Sequence, residues 1–141
     1  MKGNVFWIVA AAGLALVGCN KAESPAEVQH DVSEARAEAQ RDVADAQADA
    51  REDMADAQKD VADAQADNDA EDTADQAQQA SETGAKNDYR IAVAQAEASH
   101  KVANEKCDAM TGDQQKDCKD RADRELEAAK RAAEQRRDGT G

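Results

Sequence analysis

Three cysteines, two histidines and a run of carboxylates are the side chains of this 141-residue chain whose types and spacing could do chemistry. Cys107 and Cys118 flank a Thr111-Gly112-Asp113 turn signal, the first five residues before Gly112 and the second five after Asp113. Two helices joined by so short a turn lie antiparallel, which sets the two thiols opposite each other within disulfide reach. Zinc ligation and redox activity are the competing chemistries. Zinc would need two more ligands, and His100, two turns ahead of Cys107, is the one neighbour of suitable type. The C-x10-C spacing also differs from the C-x-x-C arrangement that tunes a reactive thiolate. A structural disulfide is therefore expected, with no metal site and no cofactor. His30 lies seventy residues from His100, and the two share no expected site. Asp67, Asp69, Glu71 and Asp72 offer the oxygen ligands calcium takes, without the glycine and the terminal glutamate of an EF-hand loop. There is no Ser–His–Asp arrangement and no glycine-rich phosphate loop, so no catalytic residue is assigned and an enzyme is not expected.

Cys19 stands apart from this pair. Met1-Lys2 forms a short positive start, and Val5 to Val17 is an apolar run of 13 residues. A bilayer core requires roughly 20, so the run has the length of a signal-peptide core rather than of a membrane span. It ends in Leu16-Val17-Gly18-Cys19, which resembles the lipobox of bacterial lipoprotein precursors. The resemblance implies that residues 1–18 are a signal peptide removed before Cys19. It also implies that the Cys19 thiol carries a diacylglyceryl group and that the new amino terminus is acylated, since stable anchoring takes two or more chains. By resemblance to enterobacterial sorting, Asn20 in place of an aspartate implies the outer membrane, periplasmic face. An exported, oxidising compartment in turn favours the disulfide.

The elements that must position these residues are helical by composition. Charged residues make up 35% of the chain, and much of its apolar 40% is alanine. From Cys19 onward there is one leucine, Leu126, one isoleucine, Ile91, and one aromatic, Tyr89. An alanine methyl gains far less on burial than the roughly 1.5–3 kcal/mol of a large aliphatic side chain, so a sizeable globular core is excluded. A net charge of −13 excludes nucleic acid and electrostatic docking on anionic headgroups.

Ser24-Pro25-Ala26-Glu27 is a helix start, with an N-cap, a proline at the first helical position and a capping box. Val28, Val32, Ala35, Ala39, Val43, Ala46, Ala50, Met54, Ala57, Val61 and Ala64 then follow at steps of three and four, one stripe of a helix. A V/M-A-D-A-Q repeat at Val43, Met54 and Val61, diverged at Val32, carries the stripe at offsets of 11, 11 and 7. The eleven-residue period predicts a nearly straight helix. Ala37, Ala44, Ala48, Ala55, Ala62 and Ala66 flank the stripe. Over residues 19–66 the pattern is similar to the alanine-zipper rods of the small outer-membrane murein lipoproteins. Attached members of that family end in lysine, whereas this chain ends Asp138-Gly139-Thr140-Gly141, so covalent murein attachment is not implied. Association through the stripe, a single solvated helix and disorder are the readings open to this segment. Residues 42–82 hold fourteen acidic side chains against two basic ones.

The chain is therefore expected to be all-α. A lipid-anchored rod spans 19–80, a hinge at 81–88 centres on Gly84, a disulfide-clasped antiparallel hairpin spans 89–137, and 138–141 form a tail. In the hairpin Tyr89, Val93, Ala96, His100, Ala103, Cys107 and Met110 make one seam, and Cys118, Ala122, Leu126, Ala129 and Ala133 the other. The string Lys106-Cys107-Asp108-Ala109-Met110-Thr111-Gly112…Lys116-Asp117-Cys118 resembles a hairpin of small helical exported proteobacterial proteins over residues 85–135, a resemblance that implies no activity. The expected role is structural, a cell-envelope spacer or tether that reaches about 80 Å if some 55 residues are helical. It would self-associate or bind an envelope protein through the stripe, while Arg131, Arg136 and Arg137, which make the last helix slightly basic, are open to a solvated face or to non-covalent contact with peptidoglycan or a partner. The alternative is an accessory lipoprotein whose hairpin docks onto a periplasmic partner or stress-response system.

Overall fold

A computed structural model describes residues 22–67 and 69–139 of the chain. They form three helices: α1, Pro25–Ala66, α2, Ala70–Cys107, and α3, Gly112–Gly139. The chain is all-α, as its periodicity requires. None of the described helices is long and apolar enough to cross a membrane. The signal peptide (1–18) and Cys19 lie outside the described residues.

α1 begins where the capping box places it. The Ser24 hydroxyl accepts from the Glu27 backbone N–H at 3.3 Å, and the Ser24 N–H donates to Glu27 Oε2 at 2.9 Å. These bonds satisfy two of the donors that a helix start leaves open. They also hold the Glu27 carboxyl below its ordinary pKa. The helix runs 42 residues, about 63 Å at 1.5 Å per residue, and stops at Asp67.

The break falls at residues 67–69, ahead of the hinge expected at 81–88. Asp69 caps α2, its side chain accepting from the N–H groups of Glu71 at 3.0 Å and Asp72 at 3.1 Å. Gly84 instead lies inside α2. An interior glycine costs only about 1 kcal/mol relative to alanine, less than the packing of a continuous helix returns. A Cβ built on Gly84 would meet Met54 Sδ at 3.8 Å, an ordinary contact. Gly84→Ala is therefore expected to stabilise the fold by about 0.5–1 kcal/mol, read as a higher urea midpoint. A lowered midpoint would mean that α1 and α2 approach more tightly than this distance allows.

The rod predicted over 19–80 is consequently folded back on itself. α1 and α2 run antiparallel, tied by Asn87 Nδ2 donating to the Ala50 carbonyl at 3.2 Å and by Arg90 bridging Asp49 and Asp53 at 3.1 and 2.8 Å. Lys101 pairs with Glu38 further along, and the Glu23 N–H donates to the Asp108 carbonyl at 3.2 Å. All eleven stripe residues of α1 are buried or half-buried, while the flanking set Ala37, Ala44, Ala48, Ala55, Ala62 and Ala66 is exposed. The surface expected to receive a second chain is thus occupied by α2.

α3 returns along α2, and α1 and α3 each pack on α2 without packing on each other. The sequence of α2 explains this arrangement. Asn87, facing α1, and Tyr89, facing α3, are two residues apart and so point about 160° apart around the helix. The result is a three-helix layer with α2 in the middle. Its buried apolar side chains are small: Val32, Ala35, Ala39, Ala50, Ala64, Ala122, Ala133 and the half-cystine Cys107.

Candidate functional sites

The hairpin clasp is the most constrained site. Cys107 ends α2 and Cys118 lies in the second turn of α3. Between them Gly112 takes φ +58°, a left-handed conformation that costs a residue with a Cβ about 1–2 kcal/mol. The turn brings the two Cα atoms to 5.6 Å, and the sulfurs are bonded. Cys107 is 1% exposed. The bond consumes both sulfurs, which leaves no thiolate for zinc in this state. Asp108 then locks the turn, accepting from Gln115 and from Lys119, both at 2.7 Å.

Along the same seam, the aligned residues of α2 and α3 form polar pairs. His100 Nε2 lies 2.6 Å from Asp123 Oδ1, Lys130 pairs with Glu97 at 2.8 Å, and the Arg137 guanidinium lies 4.7 Å from the Tyr89 ring centroid. The Glu97 carboxylate raises the Lys130 pKa above its ordinary value. His100 and Asp123 have the composition of a general-base pair, but Ser99, the adjacent hydroxyl, is turned back to the Gln95 carbonyl at 2.9 Å. The pair bridges α2 and α3 in the register that the clasp sets. Asn104 Nδ2 lies 3.2 Å from His100 Nε2, while its Oδ1 is buried without a partner.

Two seam assignments need correction. Met110, placed on the hairpin seam by its heptad position, lies past the end of α2 and is 40% exposed. Ala129 is also exposed, because α3 covers α2 mainly through Ala122, Leu126 and Ala133.

His30, Asp31 and Glu34 bring one ligand atom each within 4.8 Å of one another on the outer face of α1. The hydrogen bond and charge of Asp31, helped by Glu34, raise the His30 pKa. All three face solvent at least in part, and nothing encloses them. Asp67, Asp69, Glu71 and Asp72 lie at the α1–α2 turn, where Asp69 spends its side chain on capping.

Sequence reasoning missed one face altogether. The side of α2 turned toward α1 carries Thr73, Gln76, Ala80, Thr83, Asn87, Ala94 and Ala98, all buried or half-buried. Ile91 and Val102 are its larger apolar members, and because the rest are polar or small, apolar periodicity marks the face only weakly. Asn87, at 4% exposure, is the buried polar member.

Comparison with known proteins finds no matching family model, no similar curated protein and no similar solved structure.

Proposed function

We propose that this chain is a structural lipoprotein of the cell envelope, anchored through Cys19 and acting as a spacer or tether. The observation that carries the reading is the Leu16-Val17-Gly18-Cys19 string closing a 13-residue apolar run. The mature chain is consistent with a mechanical role. It has a long helical pair, a covalently closed hairpin and no enclosed site with convergent reactive groups among the described residues. Its reach from the anchor is the length of α1, about 63 Å, rather than the longer span of an unfolded-back rod.

The far end of that reach is the α1–α2 turn, with the carboxylates of Asp67, Asp69, Glu71 and Asp72. Such an end suits a basic envelope partner. Peptidoglycan contact, if made, would fall to the basic C-terminal part of α3, Arg131 to Arg137. Self-association would use the exposed outer alanines of α1, because α2 already covers the stripe.

Since α1 finds its partner within the chain, folding does not need the membrane. A variant in which residues 1–19 are replaced by a signal peptide that is cleaved without lipidation is expected to move the protein from the membrane fraction to the soluble fraction of lysed cells, with its circular-dichroism helicity unchanged. Retention of the variant in the membrane pellet would defeat the anchor reading.

A further inference from the structure

Resting on the lipoprotein reading above, we infer that the α2–α3 turn, Asp108–Gly112, is a membrane-contact surface that seats on the phospholipid bilayer with Met110 at its tip. The argument begins with chain length. Cys19 lies four residues before Glu23, and four extended residues reach at most about 14 Å. The Glu23 N–H in turn donates to the Asp108 carbonyl at 3.2 Å, so the start of α1 and the α2–α3 turn form one end of the molecule. A lipid on Cys19 therefore holds the disulfide end of the fold near the bilayer surface.

The chemistry of that end fits the placement. Met110 is the exposed large hydrophobic side chain among the described residues, and it sits at the tip of this turn. A flexible thioether can enter the headgroup region without a shaped pocket. Asp108, the carboxylate nearest it in the turn, has its charge met by Lys119 and a further hydrogen bond from Gln115. Lys106 and Lys116 lie exposed on either side of the turn, Lys116 paired with Asp120 at 3.0 Å, so they add no net positive patch and the contact rests on the thioether. The opposite end of the layer offers Asp67, Asp69, Glu71 and Asp72 with no large apolar side chain. Both ends carry exposed carboxylates, Glu23, Asp113 and Asp117 at this one, so what sets it apart is Met110.

After loss of residues 1–18 the chain contains no tryptophan, so one introduced residue can report on its own surroundings. Met110→Trp and, as the far-end counterpart, Ala70→Trp would be purified as lipidated proteins. Mass spectrometry of the N-terminal peptide verifies the acyl chains. Both would be reconstituted into vesicles of phosphatidylcholine brominated on its acyl chains, which quench tryptophan on contact. The expected result is loss of most of the emission from Met110→Trp and none from Ala70→Trp. Unquenched emission from acylated Met110→Trp overturns the inference and leaves the anchor reading intact. Equal quenching at both positions overturns it in favour of a layer lying flat on the bilayer. Met110→Trp in a chain that starts at Asn20, and so carries neither the lipid nor Trp7, should stay unquenched; quenching there would mean that the indole, not the anchor, seats the turn. Absence of acyl chains on the wild-type N-terminal peptide would remove the lipoprotein reading and this inference with it.

Discussion

Reducing the Cys107–Cys118 bond is expected to release α3 while α1 and α2 stay paired. The bond closes a loop with a sequence separation of 11, and the chain-entropy treatment gives such a loop about 3 kcal/mol. Little else on α3 matches that amount. Its buried apolar side chains are Ala122 and Ala133, with Leu126 half-buried, and its pairs with α2 reach into solvent. Exposed ion pairs contribute about 0–1 kcal/mol each. Hydrogen exchange read by mass spectrometry before and after reductant should therefore show protection lost across residues 112–139 and kept across 28–100. The loss should appear equally in a Cys107→Ala, Cys118→Ala variant. Protection of α3 that survives reduction would show that its noncovalent seam suffices.

Ala35→Leu is expected to be the most damaging single change in the α1–α2 seam. Ala35 is 5% exposed, on the stripe that α2 covers. Three added heavy atoms have no room unless α1 moves away from α2, and overpacking of this kind costs about 1–3 kcal/mol. The same change at Ala44, on the exposed outer set, should stay within about 0.5 kcal/mol. Urea unfolding of the two variants makes the comparison. Equal midpoints would mean that the seam is not packed against α2, whereas a stabilised Ala35→Leu would point to a looser pair with room for larger side chains.

The contrast between those two alanines also shows how far the fold can be read from the residues. Which face of α1 is covered was legible, because steps of three and four from Val28 to Ala64 are a local property of one helix. What covers it was not. A methyl group fits almost any partner, and the covering face of α2 is marked mostly by Thr73, Gln76, Thr83 and Asn87, with Ile91 and Val102 as its larger apolar residues. The break was misplaced for a related reason. Gly84 is the stronger disruptor by intrinsic preference, but Asp69 supplies capping bonds to two N–H groups that a glycine cannot supply. The clasp was the most legible part of the candidate site, since symmetry about a short turn is nearly sufficient to align two cysteines. The pairing of His100 with Asp123 was beyond the sequence, because it depends on the register that the clasp sets.

The repeat in α1 takes on another meaning once its partner strand of helix is known. An eleven-residue duplication in α1 alone would shift its earlier part by about 16 Å along α2. That slip would separate Glu38 from Lys101 and carry Glu23 away from Asp108. The repeat copies all lie in α1, and α2 matches them in length without matching them in sequence. Any lengthening of α1 by one repeat would therefore call for about eleven further residues in α2 to keep both ends in register, as a ladder grows only when both rails are extended.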